Sequence, residues 1–450
     1  MTVTPRSSNP GKIEAIQIVS NKPPRKDVSL LGGLISLVYY ESIVSDTVRA
    51  TITFADTGVI EGDATNGVSV LEGLPIVGEE RVKIKFEDNN EVKIGDKPEL
   101  TLYVNKVTPL SDDTRKTLVQ LDLVSKEFIL NEKTRITKRY DGKISDNVNK
   151  LLTDSNSIGL KTEKNVDIEQ TSNNFNYIGN NKKPFYVINW LSKKAISAQN
   201  QKKGKSAGYF FFETSEGFHF KSIDTLFSQE QKKSIIYNET PDTPEGYELK
   251  ALTYSKDNMV DAQEKLRMGA FSTRTILFDP FTTYYEVITP NSNDNEDDLK
   301  LAGKNLPVMN PEFNQEGANK EFSRTTYYLL DKGTLATGNT DQQLEKKNEE
   351  NFEYSQILNQ SIMRFNQFFS SRATVTIPGD FSLHAGDMIY LDVPQLENEK
   401  TKNVSRENSG LYIIAELTHL VDTNGTFTRL NLVRDSFGKT GKANSEGILR

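Results

Sequence analysis

The sequence predicts an α+β fold that is mainly β. Alternation of apolar and polar side chains, which is typical of half-buried strands, fills the first 125 residues and returns after residue 371. Between these parts, apolar residues recur every three or four positions, as in amphipathic helices. At about 100–200 residues per domain, the 450 residues suffice for two to four domains. We therefore expect strand-rich parts at both ends and a mixed region between them.

Four runs with strand periodicity lie in the N-terminal part. The runs at 48–58 and 80–88 alternate apolar and polar side chains. The runs at 100–110 and 117–125 do the same and are separated by the polar turn Ser111-Asp112-Asp113. Short polar turns between such runs are typical of antiparallel strands. These residues predict an antiparallel β unit with one buried face.

The middle of the chain mixes helices with strands. Residues 144–154 place their apolar side chains on one helical stripe, and we expect Ser145 to cap that helix. A second helix is expected after Pro184, because proline is favoured in the first turn of a helix. The run at 208–223 then predicts two strands joined by a hairpin turn at Ser215-Glu216-Gly217.

The mixture continues toward the C-terminal part. We expect a strand at 248–255, a helix at 259–269 and a strand pair at 274–288. The acidic, Asn-rich segment 291–321 predicts a solvated loop. The segment 352–369 repeats large apolar side chains at steps of three and four, which predicts a long amphipathic helix. Its apolar stripe packs on a sheet or, alternatively, fits a groove of a partner.

The last part of the chain returns to strands. Strand periodicity is present at 373–381, 387–395, 410–421 and 426–436, and turn-forming Gly, Asp and Asn residues separate these runs. We expect the residues from 438 to 450 to form a flexible tail.

The composition excludes several classes of protein. The absence of cysteine excludes disulfide scaffolds, thiolate metal sites and cysteine nucleophiles. A net charge of −7, from 55 basic and 62 acidic side chains, argues against a dedicated nucleic-acid binder. The most apolar run, residues 30–40, is shorter than the roughly 18–20 residues of a membrane span. The N-terminus lacks the apolar region of a secretory signal, so we expect neither a membrane segment nor export by that route.

No motif predicts a catalytic, cofactor or metal site. Residues 204–208 match G-x-S-x-G, but a lysine-rich loop precedes Ser206 and a strand follows it, which reverses the order of a nucleophile elbow. The acidic run at 294–298 lacks the glycine and the distal glutamate of a calcium loop. A carboxylate pair for glycoside hydrolysis stays open, because such a pair is defined by separation in space. The three histidines are scattered, and we expect packed or surface roles for them: His219, His384 and His419.

A set of turn residues marks the C-terminal strands. It comprises Gly379 and Asp380 in P-G-D, Gly386 and Asp387 in A-G-D, Gly410 and Tyr412 in S-G-L-Y, and Arg434 and Asp435 in the closing R-D-S. With the strands between them, these strings resemble the C-terminal β unit of the central baseplate hub proteins of contractile-tailed bacteriophages and of related type VI secretion spikes. We expect the eight residues to be structural turn positions. Other strings agree in order, at 39–43, 131–148, 183–195, 208–227 and 269–285.

The resemblance, which covers most of the chain, implies two tube-type antiparallel β-barrel domains and a peripheral mixed α/β domain. The implied division is 11–125 for the first barrel, 246–290 with 371–437 for the discontinuous second barrel, 126–245 with 291–370 for the peripheral domain, and 438–450 for the flexible tail.

The resemblance also implies a structural, non-enzymatic virion protein that is assembled in the host bacterial cytoplasm. Three chains would build a ring of six barrels, which matches a threefold spike at one end and a sixfold tail tube at the other. The implied partners are two further copies of the chain, a trimeric spike or spike-lysozyme protein, a tail-tube initiator and other baseplate proteins. Phage DNA would pass through the ring without specific binding, and a negative charge suits such a channel. Neither a cofactor nor a membrane is implied.

Two other functions stay open at this point. The first is a cell-wall glycan hydrolase of the tail, for which the sequence shows no recognisable motif. The second is a carbohydrate-binding adhesin, whose exposed aromatic residues should cluster on loops. Most aromatic residues here alternate within predicted strands or lie on helical stripes instead.

Overall fold

The chain is mainly β in a computed structural model. The structure describes residues 11–21, 27–58, 69–74, 76–94, 99–154, 159–198, 207–239, 243–258, 261–278, 280, 283, 285–289, 299–308, 310, 312, 323–329, 339–341, 354–395 and 403–443. Within them lie 22 strands, seven α-helices and a short 3-10 turn at Leu31–Gly33. The predicted α+β, mainly β class is therefore confirmed.

The bounds of the elements are as follows. The strands are β1 (Lys12–Val19), β2 (Asp27–Ser29), β3 (Leu34–Ser42), β4 (Arg49–Asp56), β5 (Arg81–Glu87), β6 (Leu100–Asp112), β7 (Thr117–Val124), β8 (Arg139–Tyr140), β9 (Val166–Ile168), β10 (Tyr177–Ile178), β11 (Tyr209–Thr214), β12 (Gly217–Ser222), β13 (Lys233–Ile236), β14 (Leu249–Lys250), β15 (Thr253–Asn258), β16 (Thr273–Phe278), β17 (Tyr285–Ile288), β18 (Arg324–Leu329), β19 (Ser371–Pro378), β20 (Met388–Asp392), β21 (Gly410–Asp422) and β22 (Thr426–Arg434). The α-helices are α1 (Val70–Gly73), α2 (Lys126–Lys133), α3 (Ile144–Thr153), α4 (Pro184–Ser192), α5 (Ile223–Ser228), α6 (Ala262–Met268) and α7 (Tyr354–Phe368).

The first β unit consists of the seven strands from β1 to β7. They pair antiparallel in the order β2-β1-β5-β6-β7-β4-β3. Alternate side chains of β4 and β5 are buried, as their period-two sequence predicts. Ile16, Ile52 and Leu121 are completely buried in its core. The predicted antiparallel unit with one buried face is confirmed.

The second β unit is built around β21. On one side β21 pairs with β22, which continues through β19 to β15, and all these pairs are antiparallel. On the other side β21 pairs with β20, which continues in parallel through β13 to β14. Ile235, Leu391 and Leu430 belong to its buried core.

One strand pair joins the two units into a single 14-stranded sheet. β3 and β21 run antiparallel, with register from Ser42 opposite Glu416 to Ser36 opposite Asp422. Among the described strands, β2, β14 and β15 each pair with one neighbour only, and no ring of paired strands closes. The backbone hydrogen bonds between β3 and β21 therefore fix how the two units are placed relative to each other.

A mixed α/β part packs beside this sheet. β9, β12 and β11 form a three-stranded sheet against α3 and α4, and Val148, Ile188 and Phe218 are completely buried between them. A further three-stranded sheet, in the order β17-β16-β18, packs on the same core through Leu277.

Local sequence signals explain where these helices begin and end. Pro184 lies in the first turn of α4, as predicted. Asp261 caps α6 by accepting a hydrogen bond from the Glu264 N–H at 2.9 Å, and Gly269 ends that helix with a φ of +80°. The expected cap of α3 is wrong, because Lys143 occupies the N-cap position without a side-chain bond. Ser145 lies inside the helix, where its N–H donates to Thr171 Oγ1 at 3.0 Å.

The strand pairing differs from the predicted division of the chain in two places. β13, placed by sequence in the peripheral domain, extends the sheet of the second β unit. β16 and β17, placed in the second barrel, form a separate sheet with β18, a strand that the sequence did not predict. Most of the expected solvated loop at 291–321 lies outside the described residues. The acidic run at 294–298 and Ser206 lie entirely outside them.

The beginning of the expected flexible tail packs on the second β unit. Lys439 pairs with Asp392 at 3.1 Å, and Gln231 donates to the carbonyl oxygen of Lys442 at 2.8 Å. Sequence composition alone could not show these contacts, because both partners lie far away in the chain.

Candidate functional site

Three of the predicted turn positions meet at one end of the second β unit. The guanidinium carbon of the buried Arg434 lies 4.7 Å from the ring centre of Tyr412. Arg434 Nη1 donates to the Ser409 carbonyl oxygen at 3.1 Å. Gly410 has a φ of +130°, which brings its backbone beside Arg434, and an added Cβ would lie 3.5 Å from Arg434 Nη1. These residues hold the start of β21 against the end of β22.

Asp435 joins the second β unit to α7 and α5. Arg364, on α7, is almost completely buried and donates to Asp435 Oδ2 at 2.9 Å and to Asp224 Oδ1 at 3.0 Å. Asp435 Oδ1 also accepts from the Ala302 N–H at 3.1 Å. Burial raises the pKa of Asp224, and the nearby Arg364 charge opposes that rise. One buried arginine thus neutralises two carboxylates that belong to different elements.

The other predicted turn positions shape the loops after β19 and before β20. The Gly379 N–H donates to the Thr426 carbonyl oxygen at 2.9 Å, and a Cβ there would lie only 2.4 Å from Thr426 Cγ2. Asp380 is buried and accepts from the Ser382 N–H at 3.1 Å. Gly386, with a φ of +91°, packs against the ring of Phe212.

Asp387 connects that loop to neighbouring charged residues. Its Oδ2 accepts from the His384 N–H at 2.7 Å and from Lys232 Nζ at 2.8 Å. Burial raises the pKa of Asp387, and Lys232 opposes the rise.

A buried charged network lies where both β units meet the mixed part. His384, from the loop before β20, has its Nδ1 3.4 Å from Glu41 Oε1 on β3 and its Nε2 3.3 Å from Glu216 Oε1 on the β11–β12 turn. Glu41 is completely buried and accepts from the N–H groups of Ser215 and Ala385, at 2.7 and 3.0 Å. We call Glu41, His384, Ser215 and Glu216 the junction network. It connects three parts of the chain through the buried pair of His384 and Glu41 and the half-exposed Glu216.

The electrostatics of the junction network fix its protonation. Burial disfavours the charge of His384, but Glu41 and Glu216 outweigh burial and raise its pKa to about 10. Burial likewise opposes the charge of Glu41, but His384 and the two N–H donors lower its pKa to about 2. At neutral pH the two side chains therefore form a stable ion pair.

The same geometry resembles a catalytic triad, since Ser215 Oγ lies 3.3 Å from His384 Nδ1 and glutamates flank the ring. A serine nucleophile needs a neutral imidazole to accept its proton. His384 is protonated at neutral pH because of its raised pKa, so it cannot act as that base. The arrangement can hold elements together, but it does not activate Ser215.

A second buried charge links the first β unit to the mixed part. Glu213, on β11, accepts from the Val48 N–H at 3.0 Å and pairs with Lys164 Nζ. Lys164 also lies 3.0 Å from Glu127 Oε2, and these carboxylates raise its pKa although burial opposes its charge. Lys164 lines a cleft of about 390 Å³ whose wall also carries Glu99 and other charged residues of both signs. Four glutamates and two lysines line this cleft, so its wall has an excess of negative charge.

His419 is the neutral counterpart of His384. It lies on β21 opposite Tyr39 of β3, stacks on that ring and packs edge-on against Phe381. Its Nδ1 is 2.9 Å from Thr428 Oγ1. Burial lowers the pKa of His419 to about 3, because no carboxylate is close enough to compensate. Both histidines are therefore packed inside the chain, which is one of the two roles expected for them.

The sequence did not single out Glu41, Glu213, Lys164 or Arg364. For Glu41, the sequence did contain one signal that the side chain is buried. Leu37, Tyr39 and Glu41 occupy alternate positions of β3, so a strand that buries Leu37 and Tyr39 also buries the carboxylate. A buried carboxylate requires a partner, although the strand cannot say which one.

Among the described residues, no group of three or more His, Asp or Glu side chains is arranged to hold a metal ion. No helix within them is long and apolar enough to cross a membrane.

No protein-family model matches the sequence, and no curated protein matches it. Solved structures do resemble the chain. A 43 kDa tail protein of prophage MuSo2 from Shewanella oneidensis aligns with 93% of this chain and 98% of its own, at 10% identity and a TM-score of 0.50. A tail protein from Neisseria meningitidis covers 94% and 96% at 9% identity, with a TM-score of 0.49. A prophage tail protein from Listeria monocytogenes covers 93% and 94% at 11% identity, with a TM-score of 0.44. The likeness to the Shewanella protein shows a shared fold that is mainly β. The two barrels that the sequence resemblance implies stay a prediction, because no ring of paired strands closes within the described residues.

Proposed function

We propose that this protein is a structural virion protein at the central hub of a phage tail baseplate. Three copies form a ring in which each chain contributes two β units, so that a trimer presents six similar units. One end of the ring meets a trimeric spike or spike-lysozyme protein, and the other meets the tail-tube initiator and other baseplate proteins. Phage DNA passes through the ring without specific binding.

The observation that carries this proposal is the likeness of fold to the Shewanella prophage tail protein over nearly the whole of both chains. Because the match spans 93% of this chain, it includes both β units and the mixed part together. A single domain found in many unrelated proteins would match only a part. The shared arrangement supports a shared structural role.

The organisation of the chain supports two tube-type barrel domains per copy. The first domain is 11–125, and the second combines 246–290 with 371–437, except that β13 joins the second β unit and that β16 and β17 pair with β18 instead. The rest of 126–245 and 291–370 lies at the periphery, with 438–450 as a tail. The pairing of β3 with β21 places the two β units side by side in one sheet, as neighbours in a ring require. In the assembled ring, contacts between copies complete the wall around the channel.

The buried charges support a non-enzymatic role. Each strong ion pair described above joins two parts of the chain, as His384 joins the loop before β20 to β3. The one arrangement that resembles a triad holds its histidine protonated. These side chains contribute to shape and to rigid placement of the units.

Mass measurement and imaging together test the proposal. Size-exclusion chromatography with light scattering is expected to give three times the chain mass of 50.7 kDa, alone or with the spike protein. Negative-stain images of that species should show a ring with six similar lobes around a channel. A monomer under all these conditions, combined with clearing of cell-wall suspensions, contradicts the proposal and favours a hydrolase.

A further inference from the structure

The sheet β17-β16-β18 has an apolar outer face. In the register of this sheet, Ile276 lies opposite both Val287 and Tyr327, and Phe278 lies opposite both Tyr285 and Leu329. Residues that face one another across paired strands project to the same side of a sheet. We call the surface formed by these six residues the β16 face: Ile276, Phe278, Tyr285, Val287, Tyr327 and Leu329.

The opposite side of the same sheet is already used. Leu277, Ile288 and Tyr328 alternate with the residues of the β16 face and pack against the core of the mixed part. An antiparallel pair with one solvated side normally carries polar residues on that side. The covered side also carries polar residues, namely Thr275, Thr326 and Glu286. The solvated side instead carries the apolar β16 face, which is typical of a side that a partner covers in the functional state.

The β16 face is widely exposed in the single chain. Tyr327 is 75% exposed, Leu329 69% and Tyr285 65%. An aromatic side chain covers about 150–250 Å² when it is buried, so three of them with three aliphatic neighbours make a patch of several hundred Å². Contiguous apolar patches of that size mark interaction sites on soluble proteins.

We propose that the β16 face binds a second copy of this chain. None of its six residues is charged, and interfaces between identical subunits are more apolar than those between proteins that meet transiently. Arg274, the next residue outward in the same row of β16, supplies a polar rim. A stable interface covers about 800 Å² per partner, and this face provides its apolar centre. The proposal rests on the proposed function, since a ring gives every chain two neighbouring copies to bind.

Site-specific cross-linking tests the identity of the occupant. A photoreactive phenylalanine analogue replaces Tyr327, and the purified protein is mixed in heavy- and light-isotope forms and assembled before irradiation. The expected product has twice the chain mass and contains peptides of both isotope forms. Intramolecular adducts only, or adducts only with an added spike or baseplate protein, overturn the proposal.

Paired variants test the energetic role of the face. The double variant Tyr327→Glu and Leu329→Lys is expected to shift the oligomer to monomer, raising the apparent dissociation constant at least tenfold. Tyr186→Glu, on α4 and 56% exposed, is the control and is expected to keep the oligomer. A cooperative thermal transition and a circular dichroism spectrum like that of the control show that the double variant is folded, although loss of the oligomer lowers its melting temperature. If it fails to fold, the cross-linking result decides.

The outcomes separate this inference from the proposed function. An oligomer that persists in the folded double variant overturns the β16 face as the contact and leaves the hub proposal standing. A wild-type protein that stays monomeric in every assembly condition overturns both.

Discussion

His384 and His419 are both buried, yet their neighbours shift their pKa in opposite directions. His384 has two glutamates within 3.4 Å, whereas His419 has aromatic rings and one hydroxyl. The first is therefore charged at neutral pH and the second is neutral. Side chains of the same type serve the fold in two ways, as an ionic link and as a packed ring.

Removing the charge of His384 is expected to destabilise the protein. His384→Leu leaves the completely buried Glu41 without its cation, and breaking a buried pair from one side costs about 3–5 kcal/mol. The free energy of unfolding is measured by urea titration at pH 7 through the fluorescence of Trp190. The control is Glu216→Gln, because the Glu216 side chain is 44% exposed and its loss should cost less than about 1 kcal/mol. Equal losses for the two variants contradict the assignment of Glu41 as the buried anion.

Stability is expected to depend on pH through these same residues. His419 has a pKa of about 3 in the folded chain and 6.5 as its ordinary value, so its contribution is complete above pH 6.5 and is lost as the pH falls toward 3. His384, with a pKa raised to about 10, contributes fully below pH 6.5 and loses its contribution as the pH rises to 10. Glu41, whose pKa in the folded chain is lowered to about 2, contributes fully above pH 4.5, its ordinary value, and loses its contribution as the pH falls toward 2.

Between pH 6.5 and 4.5, a comparison of the wild type with a variant isolates His419, because carboxylates with a raised pKa, such as Asp224 and Asp387, titrate in both proteins. His419→Gln cannot titrate, so its unfolding free energy should fall less than that of the wild type across this window. Urea midpoints at half-unit pH steps measure the difference, and the two profiles should keep the same slope from pH 7 to 9. Parallel profiles below pH 6.5 would show that His419 is protonated in the folded protein.

The partners of these residues could not be predicted from the sequence. Glu41 and His384 lie near opposite ends of the chain, and only the pairing of β3 with β21 and the neighbouring hairpin bring them together. Strand periodicity predicts that a residue is buried, but the identity of its charged partner depends on the tertiary fold. Gly386 and Gly410, which the sequence marks as turn positions because glycine and aspartate favour turns locally, both have a positive φ.

At the scale of elements, the β11–β12 hairpin depends on close approach of its turn to the chain before β9. Gly217 has a φ of +136°, and a Cβ there would lie 2.2 Å from the Asn165 carbonyl oxygen. Only glycine avoids both the strained backbone and the clash. This hairpin presents Ser215 and Glu216 to the junction network, so its turn geometry matters beyond the hairpin.

Gly217→Ala is expected to be much more destabilising than a glycine substitution with strain alone. Gly142 also has a positive φ, of +94°, but a Cβ added at this position would have no atom within 4 Å. Gly142→Ala should cost about 1–2 kcal/mol for the left-handed backbone, and Gly217→Ala about 1–3 kcal/mol more for the clash. Urea unfolding of both variants gives the comparison. Equal losses would mean that the chain before β9 moves away without cost.

Elements that lie in an extended periodic pattern of the sequence were predictable, whereas elements outside such a pattern were not. The helix expected at 352–369 corresponds to α7, and the strand pair expected at 274–288 corresponds to β16 and β17, because their periodic patterns are extended. β13 has four residues and pairs in parallel with a strand more than a hundred positions away, so no local pattern indicates its partner. β18 has six residues, as many as β16, but it follows a polar region and its apolar residues do not alternate regularly.

For the whole molecule, the shared sheet and the buried charges predict a single cooperative transition. Trp190 is the only tryptophan and packs in the mixed part against Phe175 and Tyr177. Its fluorescence therefore reports the mixed part, whereas far-ultraviolet circular dichroism is dominated by the large sheet. We expect equal urea midpoints from both signals. An earlier fluorescence transition would show that the mixed part unfolds by itself and that its ionic links to the sheet are weak.

Local sequence patterns do not predict that the two β units pair with each other. Both units are visible as strand-rich segments, yet nothing in β3 or β21 alone specifies that they pair. Their alternating burial suits many neighbours equally well. The register is selected by the whole assembly of cores on both sides of the sheet.

The pairing of β3 with β21 also determines how the connection between the two β units resists an applied force. Its hydrogen bonds run perpendicular to the strands, so a pull along the strands stretches all seven facing residue pairs, from Ser36–Asp422 to Ser42–Glu416, at the same time. A pull across the strands would open them one after another. The connection between the two units is therefore strong under tension in one direction and weak under peeling in the other. Force spectroscopy along these two directions would measure the difference.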